Sequence, residues 1–163
     1  ELEKGYFNSG VLLINTLAWA QESVSAKAMS MLADKAVVSR LTYMDQDILN
    51  LILLGKVKFI DAKYNTQFSL NYELKKSFIC PINDETVLIH YVGPTKPWHY
   101  WAGYPSAQPF IKGKEASPWK NEPLMRPMNS NYARYCAKHN FKQNKLINGM
   151  MNYIYYFYLK IIK

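Results

Sequence analysis

The first hydrophobic signal is the run Val11-Leu12-Leu13-Ile14, set between turn residues. A short uninterrupted apolar run bounded this way predicts a buried strand. Asn15 and Thr16 follow, residue types that cap helices. From Leu17 to about Ala36 the chain is rich in Ala, Met, Gln and Glu with apolar residues at helical spacing, which predicts a helix. A second helix is predicted to begin at Tyr43-Met44-Asp45, with Asp45 as its N-cap and Ile48, Leu49, Leu51, Ile52 and Leu53 on its buried side. Gly55 marks its end. Val57 to Ile60 and Thr86 to Tyr91 read as further strands, with Val87 to Ile89 in the core, and residues 66–84 read as polar and irregular.

Beyond Tyr91 the texture changes. Seven of the eight prolines fall between Pro94 and Pro127. Proline at that density predicts an extended, ordered loop, since it disrupts helix interiors and central strands. Trp98, Trp101, Phe110 and Trp119 in this stretch are expected to be buried. Helical spacing returns near Asn129 and runs to the end with a break at Asn148-Gly149. The order strand, helix, helix, strand, loop, strand predicts an α/β fold. So few strands do not close a sheet unaided, and the opening ELEKGYFNSGVLLIN has the texture of a protein's interior. The chain is therefore read as the C-terminal part of something longer.

Composition narrows the class. At 163 residues, 49% hydrophobic and 15% aromatic, the chain is long enough and apolar enough for a real core. No run of about 18 uninterrupted apolar residues predicts a membrane-spanning helix, and no basic leader or cleavage site predicts a signal peptide. Cys80 and Cys136 form no CxxC pattern. A single disulfide between them stays open, and reduced thiols of a cytoplasmic protein are expected. The formal net charge is +8, and its placement matters more than its size. No Asp or Glu follows Glu122, whereas Arg126, Arg134, Lys138, Lys142, Lys145, Lys160 and Lys163 do. A basic, aromatic tail suits an anionic surface: lipid headgroups, lipopolysaccharide phosphates or nucleic acid.

Three constellations carry possible chemistry. In Phe7-Asn8-Ser9-Gly10 the Asn8 amide offers donors and an acceptor, and Gly10 permits close backbone approach, although such a sequence also makes an ordinary turn. In Asp45-Gln46-Asp47 the acids suit a helix start, where capping alone accounts for them; Gln46 is the residue that capping does not need. His90-x-x-Gly93-x-x-Lys96 closes a predicted strand, the place where open α/β sheets bind ligands. His90 is either a satisfied core histidine or a ligand for a divalent metal. Gly93 would let backbone N–H groups approach a phosphate, and Lys96 would meet its charge.

Taken together, YFNSGVLLIN, DQDILN, the KYN of Lys63 to Asn65 and HYVGPTKPW resemble, in order and rough spacing, the successive motifs of family 8 glycosyltransferases. From about Trp101 onward, SPWKN at Ser117 to Asn121 and the basic aromatic tail resemble the C-terminal extension of enterobacterial lipopolysaccharide core hexosyltransferases. The resemblance implies a GT-A type nucleotide-sugar transferase fold. Residues 1–105 would form the C-terminal part of the catalytic domain, and residues 106–163 a Pro-rich loop with a helical basic extension. It implies retaining transfer of glucose or galactose from UDP-glucose or UDP-galactose to a lipopolysaccharide core acceptor, assisted by Mn²⁺ or Mg²⁺. Asn8, with Ser9, would contact the donor. Asp45 would hold donor-sugar hydroxyls, and Gln46 would lie beside the anomeric carbon, where its carbonyl meets developing positive charge. His90 would ligate the metal, and Gly93 and Lys96 would bind the diphosphate.

The family's Asp-x-Asp motif, which supplies further metal ligands, belongs upstream of YFNSG. Asp45-Gln46-Asp47 is literally of that form, but its DQDILN setting matches the later motif. The chain alone is therefore expected neither to bind UDP-sugar well nor to turn over.

Arg134, Lys138, Lys142 and Lys145, spaced by four, four and three, are predicted to share one helix face. The Tyr153 to Leu159 segment beyond them reads either as a peripheral membrane anchor or as aromatics packed on the domain. The expected location is cytoplasmic, on the inner face of the bacterial inner membrane. The alternative reading is a basic aromatic lipid- or nucleic-acid-binding module without catalysis. No RNP motif, zinc spacing or recognition-helix pattern supports a nucleic-acid partner, and none is expected.

Overall fold

The computed structural model describes residues 5–162. Asn15 caps the first helix as its side chain suggests, accepting the amide hydrogen of Ala18 at 3.1 Å. The single long helix expected from Leu17 to Ala36 is instead three: α1 (Thr16–Gln21), α2 (Val24–Ala33) and α3 (Lys35–Val38). Ser23, in the left-handed region at φ 52°, breaks the first junction, and Asp34 breaks the second by capping α3. The next helix, α4 (Met44–Ile52), buries Ile48 and Asn50. Its N-cap is Tyr43, not Asp45, which lies exposed one residue inside the helix. Capping falls to Asp47, whose carboxylate reaches back to the amides of Thr42 and Tyr43 at 2.7 and 2.8 Å.

Strands are fewer than predicted. Val11–Ile14 and Val57–Ile60 are irregular, and Leu13 is 93% exposed. A strand needs a ladder, and among the described residues neither run finds one. The observed sheet is β1 (Thr66–Phe68) against β2 (Ile89–Tyr91), parallel, pairing Gln67 with His90 and Phe68 with Tyr91. β1 lies in the segment expected to be irregular, which also holds a 3₁₀ turn at Leu70–Leu74. The predicted strand from Thr86 is shorter than expected, and Val87 and Leu88 are exposed at 62% and 40%. The core of this region gathers Phe68, Leu70, Ala102, Tyr104 and Ala107, with Ile82 and Tyr91 packed on it.

The proline-rich stretch is not all loop. A 3₁₀ turn at Pro105–Ala107 leads into α5 (Gln108–Glu115), with a proline in the first turn of each. There the missing N–H costs no helical hydrogen bond. Trp101 is buried, but Trp98 and Trp119 are 39% and 67% exposed, against expectation.

The C-terminal helices are α6 (Ser130–Lys142), capped by Asn129, and α7 (Leu146–Ile161). They break at Gln143 to Lys145, where Asn144 takes φ 59°, and not at Asn148-Gly149. Lys145 therefore lies beyond the turn and off the α6 face that carries Arg134, Lys138 and Lys142. Gly149 sits inside α7 because of packing: a Cβ there would meet the Phe141 ring at 2.8 Å. The chain divides into two compact units, one ending at Asn65 and one beginning at Thr66. The result is a mixed helix and strand fold with a small parallel sheet. Gly149→Val is expected to lower stability by about 2 kcal/mol, since overpacking outweighs the gain in helix propensity; urea unfolding measures it.

Candidate functional site

In the first unit the FNSG and DQD motifs meet. The Gln46 carbonyl oxygen accepts from the Asn8 amide at 3.0 Å and from the Ser9 backbone N–H at 3.1 Å. The Gln46 amide donates to the Tyr6 hydroxyl at 2.9 Å, and that hydroxyl donates to the Asp47 carboxylate. Asn8 in turn accepts from Gly10 N–H at 3.0 Å and from the Asn65 amide of the KYN segment at 3.2 Å. Buried Asn50 fixes the register by exchanging two 2.8 Å hydrogen bonds with the Phe7 backbone, while its amide also donates to the Gln46 carbonyl of the main chain.

Electrostatics follow this geometry. The hydrogen bond from Tyr6, backed by the two backbone amides, holds Asp47 below the usual carboxylate range. Desolvation, then the Asp47 contact, raises the Tyr6 phenol. An open groove of about 630 Å³ lies beside this pair, lined by Met31, Val37, Leu41 and Leu51 with Tyr6, Arg40 and Asp47. Its walls are mostly apolar, and Asn8, Ser9 and Asp45 do not line it, so it is not where these polar groups would hold sugar hydroxyls.

In the second unit, His90 is a half-buried residue of β2, lowered in pKa by desolvation and then by Lys96. Gly93 takes φ +81°, and a Cβ on it would meet Ser69 Oγ at 2.8 Å. Glycine is thus required twice over, by backbone and by space. Lys96 turns its ammonium back to the Tyr91 carbonyl at 2.5 Å. An ammonium has three donors, and this bond uses one of them, with the Trp98 ring 5.9 Å from the nitrogen. Burial lowers its pKa.

Two histidines that sequence reading passed over hold this loop. The Lys96 N–H donates to His99 Nδ1 at 3.2 Å, and His99 stacks on Trp101 with ring centroids 4.2 Å apart. Thr95, fully buried, lies 3.1 Å from His139 Nε2 on α6. That nitrogen is also 3.1 Å from Asn71 Oδ1, an acceptor only, so it carries the proton. His139 Nδ1 then accepts from the Tyr104 hydroxyl at 2.7 Å. Each of these polar groups is satisfied, as burial demands. The signal available in sequence was position: His139 falls three residues after Cys136 on the apolar side of a predicted helix.

A metal centre is not complete here. Among the described residues no three His, Cys, Asp or Glu side chains gather to hold an ion. One imidazole does not satisfy a cation that prefers several oxygen ligands.

These motifs can be set beside known proteins. The glycosyl transferase family 8 model matches residues 1–102, and the family's C-terminal model matches residues 104–160. The chain belongs to glycosyl transferase family 8. Among relatives in this family, the lipopolysaccharide glucosyltransferase WaaO of Escherichia coli K12 is 55% identical over 98% of this chain and 48% of its own length. A lipopolysaccharide 1,3-galactosyltransferase of Salmonella typhimurium LT2 is 51% identical over 99% of this chain and 48% of its own length. A lipopolysaccharide 1,2-glucosyltransferase of Escherichia coli is 38% identical over 95% and 47%. The chain therefore spans about half the length of these family 8 relatives. No solved structure matched it. The reading as a catalysis-free binding module gains no support from these family 8 matches.

Burial pushes His99 and His139 each down to about 4. In the unfolded chain each would titrate near 6.5. A depressed folded value means the unfolded state takes up protons first, so stability is full above about pH 6.5 and falls as pH drops toward 4. The expected loss is up to about 3 kcal/mol per ring. Urea midpoints between pH 7 and pH 4 measure it, and His139→Gln is expected to remove that ring's share of the slope.

Proposed function

We propose that this chain is the C-terminal part of a retaining hexosyltransferase with a GT-A type fold, moving glucose or galactose from a UDP-sugar to a lipopolysaccharide core acceptor. Residues 1–105 would belong to the catalytic domain and residues 106–163 to its extension. The observation that carries this reading is the clamp of Gln46 between Asn8 and Ser9, which gathers amide, hydroxyl and carboxylate groups from motifs distant in sequence.

Breaking the bond from sugar to UDP leaves negative charge on the diphosphate and an oxocarbenium-like sugar. The Lys96 ammonium and the backbone opened by Gly93 suit the first charge. Asn8, Ser9 and exposed Asp45 suit sugar hydroxyls. Gln46 brings a neutral amide whose carbonyl, held here by Asn8 and Ser9, would turn from them to meet positive charge, without trapping the sugar covalently as a carboxylate would. Mn²⁺ or Mg²⁺ enters this reading only as a partner of His90, its other ligands coming from outside the described residues. The lipid-borne acceptor would place the enzyme at the cytoplasmic face of the inner membrane.

The test is hexose transfer by the longer protein that carries this chain, with UDP-glucose and UDP-galactose and truncated core acceptors. Transfer from one donor is expected; transfer from neither would overturn the proposal. Gln46→Ala is expected to lower kcat at least about tenfold with little change in KM, the pattern of a group acting in the transition state. His90→Ala is expected to weaken Mn²⁺ binding, read by electron paramagnetic resonance; unchanged binding would remove His90 as a ligand.

A further inference from the structure

Helix α5 and the turn after it enclose a second groove, lined by Phe110, Gly113, Lys114, Ser117 and Trp119. Its volume is about 390 Å³ and its lining is almost wholly apolar. Small-molecule sites begin at roughly 300 Å³. Gly113 lies inside α5, and a Cβ there would meet nothing within 4 Å. Glycine in a helix interior costs about 1 kcal/mol against alanine. Gly149 is required by the Phe141 ring, but no contact within the chain requires Gly113. Its missing side chain leaves the groove open to close approach by a ligand.

Trp119 is the second unusual feature. Its side chain is among the most exposed of the large apolar ones, at 67%. Its backbone is nevertheless fixed. Ser117 Oγ accepts from the Trp119 N–H at 3.2 Å, and the Trp119 carbonyl accepts from the Lys114 ammonium at 2.9 Å and the Glu122 N–H at 3.0 Å. A held turn thus keeps a large apolar ring out in water. An apolar groove edged by such a ring marks a binding site.

The groove is continuous with the loop after β2. The Phe110 ring lies 5.9 Å from the Trp98 ring, and the Lys96 ammonium lies 5.9 Å from that same indole. Aromatic surface therefore runs from Lys96 to the groove, all of it within the second unit. The occupant must use both an apolar wall and a polar rim. A pyranose ring carries C–H groups on its faces, which pack on an indole, and hydroxyls around its edge. Lys120, Asn121 and Glu122, next in the chain after Trp119, are exposed and offer hydroxyls donors and acceptors. An aliphatic chain would make no use of that rim.

We propose that the groove between α5 and Trp119 is a subsite for the acceptor oligosaccharide. Two ring contacts separate it from Lys96, so it holds a sugar other than the one that receives the hexose. This rests on the reading of the chain as part of a hexosyltransferase.

The experiment uses the longer protein that carries this chain and a deacylated lipopolysaccharide core oligosaccharide ending at the acceptor sugar. The Trp119 indole N–H is expected to shift saturably in NMR titrations with that oligosaccharide. Trp119→Ala is expected to weaken oligosaccharide binding and raise the acceptor KM about tenfold, with the UDP-sugar KM unchanged. Gly113→Leu is expected to cause a similar loss without lowering the melting temperature, since leucine favours the helix and the space above is open. An unmoved indole at saturation, unchanged oligosaccharide affinity in both variants, or an equal rise in the UDP-sugar KM would overturn the proposal. Indole shifts and weakened variants in a protein that transfers no hexose would support the subsite while overturning the transferase reading.

Discussion

The second unit depends on one buried imidazole. His139 takes the Tyr104 hydroxyl on one nitrogen and gives the proton on the other toward Asn71 and Thr95. It thereby ties α6 to the turn after β1 and to the loop between Gly93 and Lys96. A charged ring would reverse the Tyr104 bond and bring an unpaired cation into the core, so burial favours a neutral His139. His99 repeats the device from the loop itself, holding the Lys96 amide while stacked on Trp101. The loop between Gly93 and Lys96 is thus set by α6 as much as by the strand it follows.

The first unit is organised differently. Among its described residues no charge is buried. Amide groups do the work, because Asn8, Gln46, Asn50 and Asn65 can each donate and accept at once. A network of neutral amides places several polar groups at fixed positions without the desolvation cost of ions. Such groups recognise hydroxyl-rich ligands.

Motifs were legible in the sequence because their chemistry is local. The FNSG and DQD motifs and the glycine after β2 stand out by residue type and spacing, and Asn15 was readable as a helix cap; that the two motifs meet was not. Strands were less so. Val11 to Ile14 has the composition of a strand, but a strand is a pairing, and composition does not supply the partner. Thr66 to Phe68 has weak apolar character and forms a strand because β2 pairs with it. Helix ends were misplaced where one side chain decided the matter, as when Asp47, not Asp45, reached back to the start of α4. His99 and His139 were overlooked because each looks unremarkable in its own segment; their importance comes from partners up to 68 residues away.

We propose that Gly93 to Lys96 form a diphosphate cradle held in place by neutral His139 through Thr95. Titration of UDP into the isotope-labelled longer protein, following backbone amides and histidine ring nitrogens by NMR, tests it most directly. The Gly93, Thr95 and Lys96 amides are expected to shift on UDP addition while His139 remains a neutral Nε2–H ring. Saturable UDP binding that leaves those amides unmoved, or a His139 ring that is protonated at neutral pH, would contradict it.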